Sequence, residues 1–425
     1  MEELASAVRK DFPILNRLVN DRPLVYLDNA ATTQIPEPVL HTMIQQYHCH
    51  QGNVHRGIHT LSERSTQNME NARALLRRFL GANHRAEIIF TSGTTQSINL
   101  VARSLAFHGL GPGDEVLVTG MEHHANLIPW QEACRRTGAR LNLVPITPQG
   151  ELDRAEFARL LSPRTRIAAF TWVSNVTGAI NPVEELTAMA HRAGALVLVD
   201  GAQAVRHFPL DMKKLDCDFF CLSGHKMMGP TGTGVLYGKQ EVLERLVPET
   251  FGGGMVDQVW TDRAAYGELP FRLEAGTPNI VGNIGLGAAA DYLMGLGAEQ
   301  VAAWELELLD RLVEGLLSRP DVKLLGSPDR RAGCVSFQLG DAHPYDAAQL
   351  LDQLGIAVRS GHHCAQPLLT ALGAAGAVRA SPAFYNTSAD IESFFSALDR
   401  VSGILTGKGG RPYGVRRAAS GRAES

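Results

Sequence analysis

The chain has few cysteines for its length and no long apolar run. Six cysteines are scattered over 425 residues, and no two form a Cys-x-x-Cys pair, which excludes a disulfide framework. No apolar stretch approaches the roughly 18 residues of a membrane-spanning helix. The net charge of −4 gives no electrostatic handle for nucleic acid or an acidic membrane surface. The opening "MEELASAVRKDFPIL" carries acids early and lacks the apolar centre of a signal peptide. The expectation is a cytoplasmic protein with neither nucleic acid nor membrane as partner. Its length exceeds that of one small domain and predicts two, with a large core.

Between about residues 85 and 240, short apolar runs such as "EIIFTSG", "EVLVTG", "ALVLVDGA" and "DFFCLSGH" alternate with segments of helical spacing. This pattern predicts an α/β domain with a largely parallel, buried sheet. Ligands of such sheets bind outside the carboxyl ends of the strands, where the runs end in polar residues. From about residue 290 come two amphipathic helical stretches, a strand "GCVSFQL", a short strand "IAVRS" and the loop "RSGHHCAQP". They predict a smaller α+β domain. The predicted divisions are an N-terminal arm 1–25, a large domain 26–290, a small domain 291–406 and a disordered basic tail 407–425. Cys217 and Cys221, in "CDFFC", are read as core cysteines on one face of a strand.

Asp200 and Lys226 each follow an apolar strand directly. A buried carboxylate is costly unless something needs it. A lysine that forms a Schiff base and an acid that keeps a pyridine nitrogen protonated suit pyridoxal phosphate; a sheet-edge ion pair is the plainer alternative. "TSGTTQSINLVAR" ends a strand and starts a helix, which offers free N–H groups and hydroxyls to a phosphate at Thr94 and Thr95, or ordinary capping. His123 and His124 lie at another strand end and suit ring stacking or proton transfer, with zinc binding or a surface pair as the alternatives. Asn175 ends a further strand. His48, His50, His55 and His59 lack acid or cysteine partners at ligand spacing, so no metal is assigned to them.

In order and character these segments resemble the class V aminotransferases among the fold-type I pyridoxal phosphate enzymes. More narrowly they resemble the group II cysteine desulfurases of the SufS/CsdA type. "YLDNAATTQIP", "GTTQSINLVA", "EHHANLIPWQ", "VDGAQAV", "SGHKMMGPTGTGVLYG", "EAGTPN", "AVRSGHHCAQP" and "RASPAFYNT" carry the resemblance. It runs from residue 25 to 405. It implies a large, mostly parallel seven-stranded sheet domain plus a smaller C-terminal α+β domain.

The resemblance also implies roles. Lys226 is the Schiff-base lysine and proton carrier, Asp200 pairs with the pyridine nitrogen, and Gln203 with the phenolic oxygen. His123 stacks on the ring. Thr94, Thr95, Ser223 and His225 hold the phosphate, and Thr277 reaches it from a partner subunit, which implies a homodimer. Asn175 and Arg379 bind the substrate carboxylate, and Arg359 lines the site. Cys364 is the nucleophile that takes sulfur from L-cysteine, in a polar, cationic setting suited to a thiolate. The implied outcome is L-alanine and a persulfide, passed to a SufE- or SufU-type acceptor for iron-sulfur cluster assembly. Met228, Ser92 and Pro382 depart from common family wording. A selenocysteine lyase would use the same lysine and aspartate. A non-catalytic zinc scaffold built on "HHC" would leave both unexplained. His343, in "GDAHPYDAAQLLD", is either a histidine bonded to its own helix start or a contact for a zinc-containing acceptor.

Overall fold

The computed structural model describes residues 2–405; the stretch 407–425, expected to be a disordered tail, lies outside the described residues. Seven strands form the main sheet: β1 (Ile88–Thr91), β2 (Glu115–Thr119), β3 (Arg140–Val144), β4 (Thr165–Thr171), β5 (Leu196–Asp200), β6 (Phe219–Ser223) and β7 (Gly234–Gly238). Their order is β1-β7-β6-β5-β4-β2-β3. β2 to β6 are parallel, and β7 runs antiparallel to both β1 and β6. The inner strands β5 and β6 read as near-continuous apolar runs, LVLVD and FFCLS, because both faces are covered, whereas the edge strand β3 is partly exposed. Alternate residues therefore enter different cores: Phe220 and Leu222 of β6 join one cluster, Phe219 and Cys221 the other. Cys217 precedes β6 and belongs with Phe220. It is buried as expected but does not share a face with Cys221, because period-two alternation starts only at Phe219.

Five helices matter to the site: α1 (Thr60–Leu80), α2 (Thr94–His108), α3 (Ala298–Leu317), α4 (Pro344–Asp352) and α5 (Ser388–Leu405). The second unit is an antiparallel sheet of β8 (Val322–Leu324), β9 (Val335–Leu339), β10 (Arg359–Gly361) and β11 (Ala377–Ala380), in the order β8-β9-β11-β10. The run expected as one strand, "IAVRS", is two. Ile356–Ala357 pairs with Val25–Tyr26, and the chain changes sheets at Val358 to enter β10. The N-terminal segment also leans on this unit. Arg9 bonds the Asp390 carboxylate at 2.8 Å, and the Phe12 ring lies 4.6 Å from that of Tyr385.

A buried charge cluster ties the two units together. Arg206, in the turn after β5, pairs with Glu305 of α3 and donates to the Pro382 carbonyl at 3.2 Å. Glu305 also accepts the Phe384 N–H at 3.0 Å. Removing one member of such a pair costs about 3–5 kcal/mol because the other charge stays buried. The cluster fixes the segment after β11, and with it Arg379, against the main sheet.

Candidate active site

The carboxyl ends of β2, β4, β5 and β6 point toward one edge, and β10, β11 and the cysteine loop close over it. The resulting cleft has a volume of about 230 Å³, and twelve of the thirteen expected site residues line it. The exception is Thr277, which is exposed in the segment after Leu273.

Asp200 is the last residue of β5. It is buried, and one carboxylate oxygen accepts the Ala202 N–H at 2.9 Å. Burial raises its pKa and the charge of Lys226 opposes the rise. Lys226 ends a single 3-10 turn, Gly224–Lys226, that follows β6 directly. Burial lowers its pKa, which favours the free amine, while Asp200 pulls the other way. Acid and amine thus lie at adjacent strand ends of one cleft.

Next to them stands a hydroxyl cradle. Thr94 begins α2; its N–H donates to Ser223 Oγ at 2.9 Å, and that hydroxyl donates to Thr94 Oγ1 at 2.9 Å. The close approach of β1 and β7 needs glycine. A Cβ on Gly234 would lie 2.5 Å from the Gly93 Cα, and Gly93 itself has φ +143°. His225 is held neutral, its pKa lowered to about 4 by burial and then by Lys226. Gln203 donates one amide hydrogen to the Ala30 carbonyl at 2.7 Å.

His123 lies in the turn after β2. Its Nδ1 accepts the Ala125 N–H at 3.0 Å, so the proton of the neutral ring sits on Nε2. Burial, then Lys226, lowers its pKa to about 3.

The opposite wall comes from the second unit. Arg379 of β11 is buried and donates to the Asn175 carbonyl at 2.9 Å, and it lies 3.5 Å from Asp28. Arg379 Nε has no partner among the described residues. Arg359 of β10 approaches the other Asp28 oxygen at 3.5 Å with its side chain more than half exposed. Asn175 uses its amide to hold the loop: Nδ2 donates to the His363 carbonyl at 2.7 Å. The His124 N–H donates to the Cys364 carbonyl at 2.7 Å. Cys364 is exposed, and both it and His363 have positive φ, +54° and +53°. The histidines do not give the wholly cationic setting expected for this cysteine. Burial, then Arg379, pushes the His363 pKa down to about 3 and leaves it neutral.

Sequence reasoning missed Asp28, which faces both arginines, and Glu122, which is fully buried beneath His123. Asp28 ends the apolar "LVYLD", the same signal that singled out Asp200.

The donor set fits pyridoxal phosphate. It offers a lysine kept toward its free amine, an acid at the neighbouring strand end, hydroxyls at a helix N-terminus and a neutral imidazole beside them. Residues 25–394 match the family model for class-V aminotransferases. The chain belongs to that family. It is 47% identical to a probable cysteine desulfurase of Halalkalibacterium halodurans, over 93% of this chain and 98% of the relative. It is also 47% identical to a cysteine desulfurase of an Enterobacter species, over 94% and 98% of the two chains. The crystal structure of the cysteine desulfurase CsdA from Escherichia coli superposes with a TM-score of 0.88 at 41% identity, covering 94% of this chain and 99% of that one. Within the family the chain therefore groups with the cysteine desulfurases, and its cofactor is pyridoxal phosphate. Among the described residues no single helix is long and apolar enough to cross a membrane.

Proposed function

We propose that Cys364, Lys226, Asp200 and His123 carry the reaction of this pyridoxal-phosphate-dependent cysteine desulfurase. The supporting observation is that an exposed cysteine from the second unit lines the same small cleft as the buried lysine and acid of the main sheet. Pyridoxal phosphate, when bound, supplies an electron sink that makes the substrate Cα proton acidic and the C–S bond breakable.

The residues around it divide the remaining work. Asp200 keeps a proton on the pyridine nitrogen. Gln203, which has an amide hydrogen to spare, meets the phenolic oxygen, and His123 stacks on the ring. Thr94, Thr95, Ser223 and His225 cradle the phosphate. Arg379 and Asn175 hold the carboxylate of L-cysteine, with Arg359 at the rim. Lys226, when its amine is free, takes the Cα proton. The Cys364 sulfur attacks the substrate sulfur, an S–S bond forms and the substrate C–S bond breaks. The electron pair of that bond stays on carbon and is capped by protons. The balance is L-cysteine plus the Cys364 thiol giving L-alanine plus a Cys364 persulfide, with no external oxidant.

Partners follow from exposure. Thr277 faces solvent outside the cleft, and the exposed Phe107 and Ile128 wall a neighbouring cleft of about 630 Å³ that opens onto Thr95 and His123. A second copy of the chain would cover these apolar residues and bring its own Thr277 to the phosphate. The persulfide on an exposed, short loop suits an acceptor protein of SufE or SufU type for iron-sulfur cluster assembly. The test supplies L-cysteine to the wild type, Cys364→Ala and Lys226→Ala. Cys364→Ala should keep the cofactor and make neither alanine nor persulfide, and Lys226→Ala should lose the borohydride-fixable cofactor mass. Persulfide trapped mainly on Cys221 or Cys334 would contradict the assignment.

A further inference from the structure

The turn that bears His123 holds an acid to which the reaction assigns no task. Glu122 is 1% exposed. Its Oε1 meets the hydroxyl of Thr119, at the end of β2, and accepts the backbone N–H of Thr171, at the end of β4, at 3.1 Å. Its Oε2 accepts Asn126 Nδ2 at 2.6 Å, and Asn126 Oδ1 accepts the indole N–H of the buried Trp130 at 3.0 Å. Thr171 is the register partner of Asp200, and the next residue, Trp172, donates its N–H to the Asp200 carbonyl at 3.0 Å. On its other side the same turn presents His123 to the cleft and the His124 N–H to the Cys364 carbonyl.

We propose that Glu122 is a positioning residue. It locks the turn carrying His123 and His124 to the strand ends that lead to Asp200, which sets the space for the cofactor ring and the approach of Cys364. The proposal rests on the roles given above to His123, Asp200 and Cys364. Burial raises the Glu122 pKa to about 8; the rotatable Thr119 hydroxyl accepts the proton of the neutral acid, so the Thr171 N–H and the Asn126 NH2 still face acceptor oxygens.

The pattern of donors makes the acid hard to replace. Trp130 fixes the orientation of Asn126, so an NH2 group always faces residue 122. A glutamine there would offer one oxygen and one NH2. Turned one way, its NH2 meets that of Asn126; turned the other way, it meets the Thr171 N–H. Either leaves two buried donors face to face, which is costly. Moving the acid across the contact, with Glu122→Gln and Asn126→Asp together, restores a complementary set. The new amide donates to the new carboxylate, which still accepts from Trp130.

The experiment uses the holoenzyme and reads two quantities: cofactor retention, from the visible absorbance after dialysis, and the single-turnover rate of Cys364 persulfide formation with L-cysteine. Glu122→Gln should weaken retention and slow persulfide formation by about tenfold, the effect of one unmatched buried donor pair. The double variant should recover most of both. Thr119→Val, which loses the bond to Glu122 and the long one from the Met121 N–H at 3.3 Å, should weaken retention by about threefold and decides the matter if Glu122→Gln does not fold. Unchanged retention and rate in Glu122→Gln, or unchanged values in Thr119→Val where that variant decides, overturn the proposal. So does a double variant that recovers neither quantity. Cys364→Ala is measured alongside. Alanine produced without Cys364 removes the functional reading beneath the proposal, whereas wild-type behaviour of Glu122→Gln with a dead Cys364→Ala removes the positioning role alone.

Discussion

His363 precedes Cys364, and a protonated imidazole there would be an obvious support for a thiolate. The structure gives the opposite expectation. The ring is mostly buried, its Nε2 lies 3.1 Å from the Ala377 carbonyl, and its Nδ1 has no partner among the described residues. Burial first, then the positive charges of Arg379 and Arg359, lower its pKa from 6.5 to about 3, against the bond to the Ala377 carbonyl. The folded pKa is depressed, so between about 6.5 and 3 the unfolded chain binds more protons than the folded one. Stability from this site is therefore complete above about pH 6.5 and falls as the pH drops toward 3. For one group with these two values, the loss between pH 7 and pH 5 is about 2 kcal/mol. The assay is urea unfolding of the cofactor-loaded wild type and His363→Gln at both pH values. The wild type should lose about 2 kcal/mol more than the variant, which has nothing to protonate at that position. Equal losses in the two proteins would refute a neutral, buried His363 and bring back an imidazolium beside the cysteine.

Two further outcomes are expected. Arg73 of α1 is fully buried and pairs at 2.7 Å with Glu274, which also accepts the Phe90 N–H. Arg73→Ala should destabilise the fold by about 3–5 kcal/mol in denaturant titration, because the carboxylate keeps its burial and loses its cation; a cost below about 1 kcal/mol would show the pair to be as weak as a surface one. His343 caps α4, its Nδ1 accepting the Tyr345 N–H at 3.3 Å, and is exposed. His343→Ala should leave basal alanine production intact and abolish stimulation by a zinc-containing acceptor, whereas equal stimulation would leave it a helix cap only.

Much of the sheet was legible because its strands are short apolar runs ended by polar residues, and those ends are where the candidate site residues gather. Asp200, Lys226 and Thr94 follow from that rule with no knowledge of the fold. Cys364 does not. Its loop says only that a cysteine sits among polar groups, and the resemblance, rather than any spacing, supplied the lysine and acid it would work with. The split at Val358 was illegible for a different reason. Whether "IAVRS" makes one strand or two depends on Val25–Tyr26, far away in sequence, offering an edge to Ile356–Ala357.

The contacts of Asn175 show that a residue expected to bind substrate has other tasks in the fold. The resemblance assigned its amide to a substrate carboxylate, yet in the fold that amide holds the His363 carbonyl and its own carbonyl holds Arg379. Two consecutive non-glycine residues with positive φ are costly to maintain and persist only where their surroundings over-determine them. Asn175, through the His363 carbonyl, and His124, through the Cys364 carbonyl, are that determination. Both come from the main sheet. The conformation of the cysteine loop is thus imposed by turns of the main sheet, and a substrate carboxylate that drew on the Asn175 amide would compete directly with the bond that holds the loop.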